Sequence, residues 1–245
     1  MSLVHITSPH AASENSTAKV MQLVLLATLP GILALTIAFG WGTLTNIVLA
    51  SLFGLALEAA SLALLKKPIA FYLRDCSALV TAVLLGIALP PHSSWWIILS
   101  GMLFAIIIAK HLYGGLGYNP FNPAMVGYVV LLISFPVEMT RWIAPVALQD
   151  SGQALNLLES LAHAFKGNAA TLDGITTATP LDLVRQESSL MFSELREQNT
   201  LFGQWGGTGW EWANIGFLAG GLFLLYKKVY TCLLYTSDAA DDLYR

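Results

Sequence analysis

Apolar residues fall in six long runs, at positions 20–39, 43–65, 77–89, 95–109, 123–135 and 212–226. Short polar breaks separate the first five runs, and one long polar interval, 136–211, precedes the sixth. A helix rises about 1.5 Å per residue and a bilayer core is about 30 Å thick, so the first two runs are long enough to cross it and the others are shorter but nearly so. The predicted fold class is an all-α polytopic membrane protein, with five transmembrane helices in 20–135 and a sixth in 212–231.

The polar breaks also predict orientation. Lys66, Lys67 and Arg74 follow the second run, Lys110 follows the fourth, and Lys227 and Lys228 follow the sixth, whereas the intervening turns GWG and PPHSS carry no Lys or Arg. Cationic loops stay on the cytoplasmic side. Residues 1–19 are thus expected as a cytoplasmic tail and 136–211 as a periplasmic segment. Trp41, Trp95, Trp96, Trp142, Trp210 and Trp212 fall at or near the opposite ends, where indole rings favour the headgroup region. No small-residue cleavage site follows the first run, so it is expected to remain as an anchor.

The third and fifth runs are short and bordered by Pro90, Pro91, Pro120, Pro123 and Pro136. Such helices are either broken elements lining a site near the midplane or tilted partners. The stretch GGLGYNPFNPA, 114–124, has too much Gly and Pro for helix and is expected as a re-entrant segment.

Composition sharpens the class. The chain is 56% hydrophobic and 11% charged with a net charge of −3, where soluble domains carry about a quarter charged residues. Mean hydropathy is +0.64. Nucleic acid is excluded as a partner, because no basic face is available. Cys76 and Cys232 have no metal-ligand spacing, and His5, His10, His92, His111 and His163 share none either. No metal site is expected, and most of the histidines are expected to be solvated.

Candidate chemistry lies in the long interval. Two amphipathic helices are predicted, at 154–165 and 180–197, separated by GNAATLDGITTAT. Thr179 reads as the N-cap of the second, Pro180 as its first residue, and Asp182 as the third, where a carboxylate suits the helix dipole. Taken alone this is an ordinary capped helix. Glu58 is the other candidate, a carboxylate inside an apolar run that needs a partner or hydration. It is read as a contact for ion passage, as a helix–helix hydrogen bond, or as an interface-facing group about 12 Å from Lys66. Asn46, Asn119 and Asn122 offer amides to an ion or a second, non-covalent flavin, although such residues more commonly act as glue between helices.

The strip Asp173-Gly174-Ile175-Thr176-Thr177-Ala178-Thr179 resembles the flavinylation signature D-x-x-[S/T]-G-A-T, with Thr177 where Gly is usual. With GYNPFNPA and the position of the strip after five runs, residues 1–231 resemble the RnfD/NqrB family. That family comprises the RnfD component of the Rnf electron transport complex and, more distantly, the NqrB component of the sodium-pumping NADH:quinone oxidoreductase. The resemblance implies the first half of an inverted-repeat helical bundle plus an extramembrane flavin-bearing loop domain. It implies FMN joined by a phosphoester to Thr179, moved there from FAD by a flavin transferase, with Asp173 serving transferase recognition or Mg²⁺-dependent chemistry. Gly174, Thr176, Thr177, Ala178 and Pro180 flank the attachment point, and no residue is assigned catalysis. Implied partners are the other subunits of an Rnf/Nqr-type complex in a bacterial inner membrane, and the implied function is electron transfer coupled to H⁺ or Na⁺ transport.

Two rival functions remain in view. One is a non-redox transporter or channel of urea-transporter-like architecture, the other a scaffold whose Thr179 is never modified; a pore has no need of the DGITTATP strip. The last fourteen residues, CLLYTSDAADDLYR, resemble a translated sequencing adaptor, so 232–245 is expected to be non-native read-through. Further spans are expected in the natural protein.

Overall fold

The computed structural model describes residues 16–149, 155–166, 175–186 and 192–229. Residues 1–15 of the expected tail and the suspected read-through lie outside them, whereas 16–19 of the expected tail form the cap and start of the first helix.

Each apolar run folds as helix. Helix α1 (Thr17–Phe39) begins at Ser16, whose hydroxyl accepts a hydrogen bond from the Lys19 amide, and ends at Gly40, whose φ of +78° suits a residue without a Cβ. It is followed by α2 (Gly42–Leu64), the short α3 (Ile69–Leu73), α4 (Ser77–Ala88) and α5 (Trp95–Leu103). The last of these continues as a π-helix, Phe104–His111. Then come α6 (Pro123–Ser134) and α7 (Pro136–Met139). The polar interval contributes α8 (Leu157–Lys166), α9 (Pro180–Gln186) and α10 (Phe192–Gln198), before α11 (Trp210–Tyr226). Among the described residues there is no strand, only the isolated bridges Ile143–Thr176 and Phe202–Gly207.

Helices occupy all six predicted apolar runs; among the described residues α1 and α2 are long and apolar enough to cross a membrane, and the sixth helix ends at Tyr226 rather than at 231. At 23 residues, α1 and α2 are each roughly 35 Å long, whereas the 12 residues of α4 and α6 reach only about 18 Å. Both short helices are packed into the bundle. Gly86 of α4 comes so close to α2 that a Cβ there would sit 2.8 Å from the Ile47 Cα. Leu85, Ile98, Met102, Ile106 and Leu131, from α4, α5, the π-helix and α6, form the buried centre. The short helices are therefore core elements, and the two larger cavities lie at the ends of the bundle.

The seam between α1 and α11 uses small residues. A Cβ on Gly216 would meet the Pro30 carbonyl oxygen at 2.7 Å, and one on Gly220 would collide with that of Ala27. This spacing of four lets the backbones approach as membrane helices do when hydrophobic driving force between them is absent. Leu26, Leu29, Leu33 and Ile37 of α1 face outward, as a lipid-contacting surface requires.

Because the helices alternate in direction, one end collects Lys66, Lys67, Arg74, Lys227 and Lys228, and the other collects Trp41, Trp95, Trp96, Trp142 and Trp210. These are called the basic end and the tryptophan end below.

Candidate functional site

At the tryptophan end the part of the strip from Ile175 to Pro180 is fixed to the bundle. The Ala144 amide donates to the Ile175 carbonyl (2.9 Å) and the Thr177 amide to the Trp142 carbonyl (3.0 Å), around the antiparallel Ile143–Thr176 bridge. Ile175 is buried with Leu35, Phe39, Ile143 and Ala213, while Trp210 packs edgewise on Trp142 and against Phe39. Two backbone hydrogen bonds and one buried side chain thus hold the strip where the chain turns into α9.

The turn is a reciprocal cap. Thr179 Oγ1 accepts from the Asp182 amide (3.2 Å) and donates to Asp182 Oδ2 (2.7 Å), and Asp182 Oδ2 also accepts from the Thr179 amide (3.2 Å). This is a capping box with Asp in place of Glu or Gln, and Pro180 occupies the first helical position without losing a bond. Beside it lies a cavity of about 500 Å³, walled by Arg141, Trp142, Thr176, Thr177, Ala178 and Asp182. Thr179 stands at its edge, lining with Thr177 and Ala178 a narrow cleft that shares the Trp142 wall. An indole wall, a guanidinium and a space within the roughly 300–1,000 Å³ of small-molecule sites suit a flat aromatic group carrying a phosphate. Asp173 and Gly174 lie outside the described residues; Thr176, Thr177, Ala178, Thr179 and Pro180 are brought together here.

At the basic end, Glu58 is 2% exposed and Lys110 is 3% exposed. Glu58 Oε1 is 2.8 Å from Lys110 Nζ, and Glu58 Oε2 is 2.9 Å from His111 Nε2. Lys110 also donates to Ser77 Oγ at 2.8 Å, and the Ser77 hydroxyl donates to Asp75 Oδ1 at 2.6 Å. The π-helix makes this possible. Its wider winding narrows the angle between successive side chains, so the adjacent Lys110 and His111 both reach one carboxylate. A cavity of about 660 Å³ opens onto this network, with Lys67, Tyr72, Arg74, Gly114, Gly115 and Tyr118 in its wall.

Several expectations are corrected here. Glu58 is not an interface-facing group near Lys66; it is buried and paired across the bundle. Lys110 is not a loop cation, and His111 is not solvated, because both belong to the end of the π-helix. Asn119 and Asn122 do not join Glu58. Asn119 closes its own turn, accepting from the Gly117 amide and donating to the Phe121 carbonyl. Asn122 caps α6 by accepting from the Ala124 amide. Asn46 acts between elements, donating to the Pro90 carbonyl at 2.8 Å.

His92 and His163 are likewise buried, with ring centroids 6.1 Å apart in an edge-on arrangement. Burial, and then the His163 charge, pushes His92 down to about 4. Sequence reading missed this pair because 70 residues separate His92, in a polar turn, from His163, in an amphipathic helix. A cue was available in the amphipathic pattern of α8, which sets His163 on the same face as Ser160 and Ala164.

Comparison with known proteins adds a separate line of support. Residues 4–237 match the NQR2, RnfD, RnfE family. The chain is similar to the D-type subunit of an ion-translocating oxidoreductase complex from Cellvibrio japonicus, 52% identical over 233 residues, and to its counterpart from Ectopseudomonas mendocina, 56% identical over 231 residues. Each match covers 94% of this chain and 65% of the relative. The Vibrio vulnificus counterpart is 49% identical over 246 residues, covering 94% of this chain and 69% of that protein. The chain thus spans just under two thirds of the length of the first two relatives.

Proposed function

The chain belongs to the NQR2, RnfD, RnfE family, and from that premise we propose that it is the flavin-carrying membrane subunit of a redox-driven, ion-translocating oxidoreductase complex, with FMN joined by a phosphoester to Thr179. The observation that carries this reading is the placement of Thr179. Its hydroxyl sits in a capping box at the edge of an aromatic- and arginine-walled cavity, inside the DGITTAT strip.

The residues present suit the attachment. Forming the ester joins Thr179 Oγ1 to the flavin-side phosphorus of FAD and breaks the bond from that phosphorus to the bridging oxygen, releasing AMP. The hydroxyl proton already points at Asp182 Oδ2, which is placed to receive it. Once esterified, Thr179 has no proton to donate to Asp182, while the Thr179 and Asp182 amides stay available to oxygens at the turn. Arg141 supplies charge for the phosphate and Trp142 a flat wall for the ring system. Bound FMN supplies one- and two-electron redox chemistry, and the protein holds and tunes it. A flavin transferase and the other subunits of the complex are the partners this function requires. The reading also entails a bacterial inner membrane, with the tryptophan end and the flavin strip on the periplasmic side.

On the ion side, Glu58 is the group we assign to the path of H⁺ or Na⁺, because it is a buried carboxylate opening onto a wide cavity at the basic end. A second, non-covalent flavin is proposed for that same cavity, whose wall carries Tyr72, Lys67 and Arg74.

The test is in-gel flavin fluorescence. The complete protein is co-expressed with a flavin transferase, and the membrane fraction is run on a denaturing gel beside Thr179→Ala and Thr179→Ser. Fluorescent bands are expected for the unsubstituted protein and for Thr179→Ser, and a dark one for Thr179→Ala. A dark band for the unsubstituted protein, with a labelled control substrate, overturns the assignment and favours the transporter or scaffold reading.

A further inference from the structure

Helix α8 carries its apolar residues on the wrong face for a water-surrounded helix. With successive residues about 100° apart, three sectors emerge. Ser160, His163 and Ala164 form one sector and are buried, Ser160 and Ala164 completely. Leu157, Leu161, Phe165 and Leu158 form the next and are exposed by 46, 37, 55 and 77%. Glu159 and Lys166 form the third and are exposed. The small and polar side chains thus face the protein, and the large apolar ones face away from it.

The location of α8 explains the inversion. Ala164 belongs to the buried cluster of the membrane bundle with Leu89 and Ile97, and Phe165 stacks on Trp95 at the tryptophan end, centroids 6.5 Å apart. Trp95 and Trp96 are themselves over a third exposed there, and α2, against which α8 packs, turns Val48, Leu52 and Leu55 outward. The apolar sector of α8 therefore continues a surface that already faces lipid, while Glu159 and Lys166 mark the water side. A helix at the junction of protein, bilayer and water needs one sector for each.

We propose that α8 is an interfacial helix, lying on the membrane at the tryptophan end with Leu157, Leu158, Leu161 and Phe165 seated at the boundary between lipid headgroups and acyl chains. Helices with this distribution of side chains lie in the interface plane with the apolar face buried about 5–10 Å into the boundary. The inference does not depend on flavin attachment, and the experiment below reads lipid contact alone.

The complete protein, with its native cysteines, Cys76 among them, replaced by Ser, is reconstituted in phosphatidylethanolamine–phosphatidylglycerol vesicles, and Leu158→Cys, Leu161→Cys and Glu159→Cys are each labelled with a small environment-sensitive fluorophore. Quenching by nitroxide on shallow acyl-chain positions is compared with quenching by aqueous iodide. Labels at 158 and 161 are expected to emit to the blue, with a lipid-to-iodide quenching ratio several-fold above that at 159. Iodide quenching of 158 and 161 equal to that of 159 overturns the proposal. So does shielding of 158 and 161 from both quenchers, which means that a protein covers the face. Two apolar positions are used so that misfolding of one variant leaves the other to decide.

Discussion

Two buried polar clusters sit at opposite ends of the same helix, α2, and they are built on opposite rules. Near its C-terminal end, Glu58 meets Lys110 and His111, and Lys110 is tied through Ser77 to Asp75, so both buried charges have partners. Near its N-terminal end, Asn46, His92, Ser160 and His163 are as deeply buried, yet Asn46 Oδ1, His92 Nδ1 and Ser160 Oγ have no hydrogen-bond partner among the described residues. One cluster is closed by charge complementarity. The other has no such pairing for His92, whose neutral form burial favours. The lesson is that the two ends should answer differently to substitution and to pH.

The largest effect is expected at the closed cluster. Glu58→Gln keeps an amide oxygen that can accept from Lys110 but removes the countercharge, leaving the ammonium buried without an anionic partner, and breaking a buried pair on one side costs about 3–5 kcal/mol. Lys110→Met should cost a similar amount, whereas Glu58→Gln combined with Lys110→Met removes both charges and should recover most of the loss. Thermal unfolding of the detergent-solubilised complete protein measures this cycle. If the double variant regains stability and ion transport together, the cluster is a lock only; stability regained without transport assigns Glu58 to the ion path.

The open cluster should respond to acid, with an intermediate effect. His92 is lowered from 6.5 to about 4, so its neutral form is favoured when α8 is docked. A depressed histidine contributes stability that is fully present above 6.5 and is lost as pH falls towards 4, by at most about 1.4 kcal/mol for each unit. The groups facing His92 are His163 from α8 and Gly42 from α2; α8 carries Glu159 and Lys166 on another face. The protection of the α8 amides, corrected for the slower intrinsic exchange in acid, should therefore fall between pH 6.5 and 5, while that of the π-helix, held by the Glu58–Lys110 pair, is unchanged. His92→Gln should abolish the acid response. Equal acid sensitivity at both ends would break the comparison.

These contrasts also separate what the sequence made legible from what it did not. The six apolar helices were legible because each apolar run is local and longer than any competing pattern. The Thr179 cap was legible because its parts lie within four residues. Lys110 was misplaced because hydropathy ended the fourth run at 109, whereas the π-helix carries it two residues further, to His111. Its partner Glu58 is 52 residues away, a distance over which no periodicity speaks. The same is true of His92 and His163. What Glu58 did announce was a need: a carboxylate in an apolar run requires a partner, and the cation nearest in depth, Lys110, closes the fourth run, which is parallel to the second.

The smallest expected effect on stability falls on Asp182, and it bears most directly on the chemistry. Asp182→Ala removes the carboxylate that accepts from both the Thr179 amide and hydroxyl, a loss of about 0.5–1 kcal/mol confined to the first turn of α9. Asp182→Asn keeps an oxygen for the amide but removes the charge that draws the hydroxyl proton. If Asp182 only caps the helix, Asn should sustain flavin attachment and Ala should lower it slightly. If its carboxylate takes the Thr179 proton, both variants should slow the appearance of the fluorescent band several-fold, with Asn no better than Ala despite its intact cap. A time course of in-gel fluorescence with the transferase in excess distinguishes the two. The expected result is the second, because the 2.7 Å hydroxyl–carboxylate contact is the shortest of the three bonds in the cap and is the one that esterification must break.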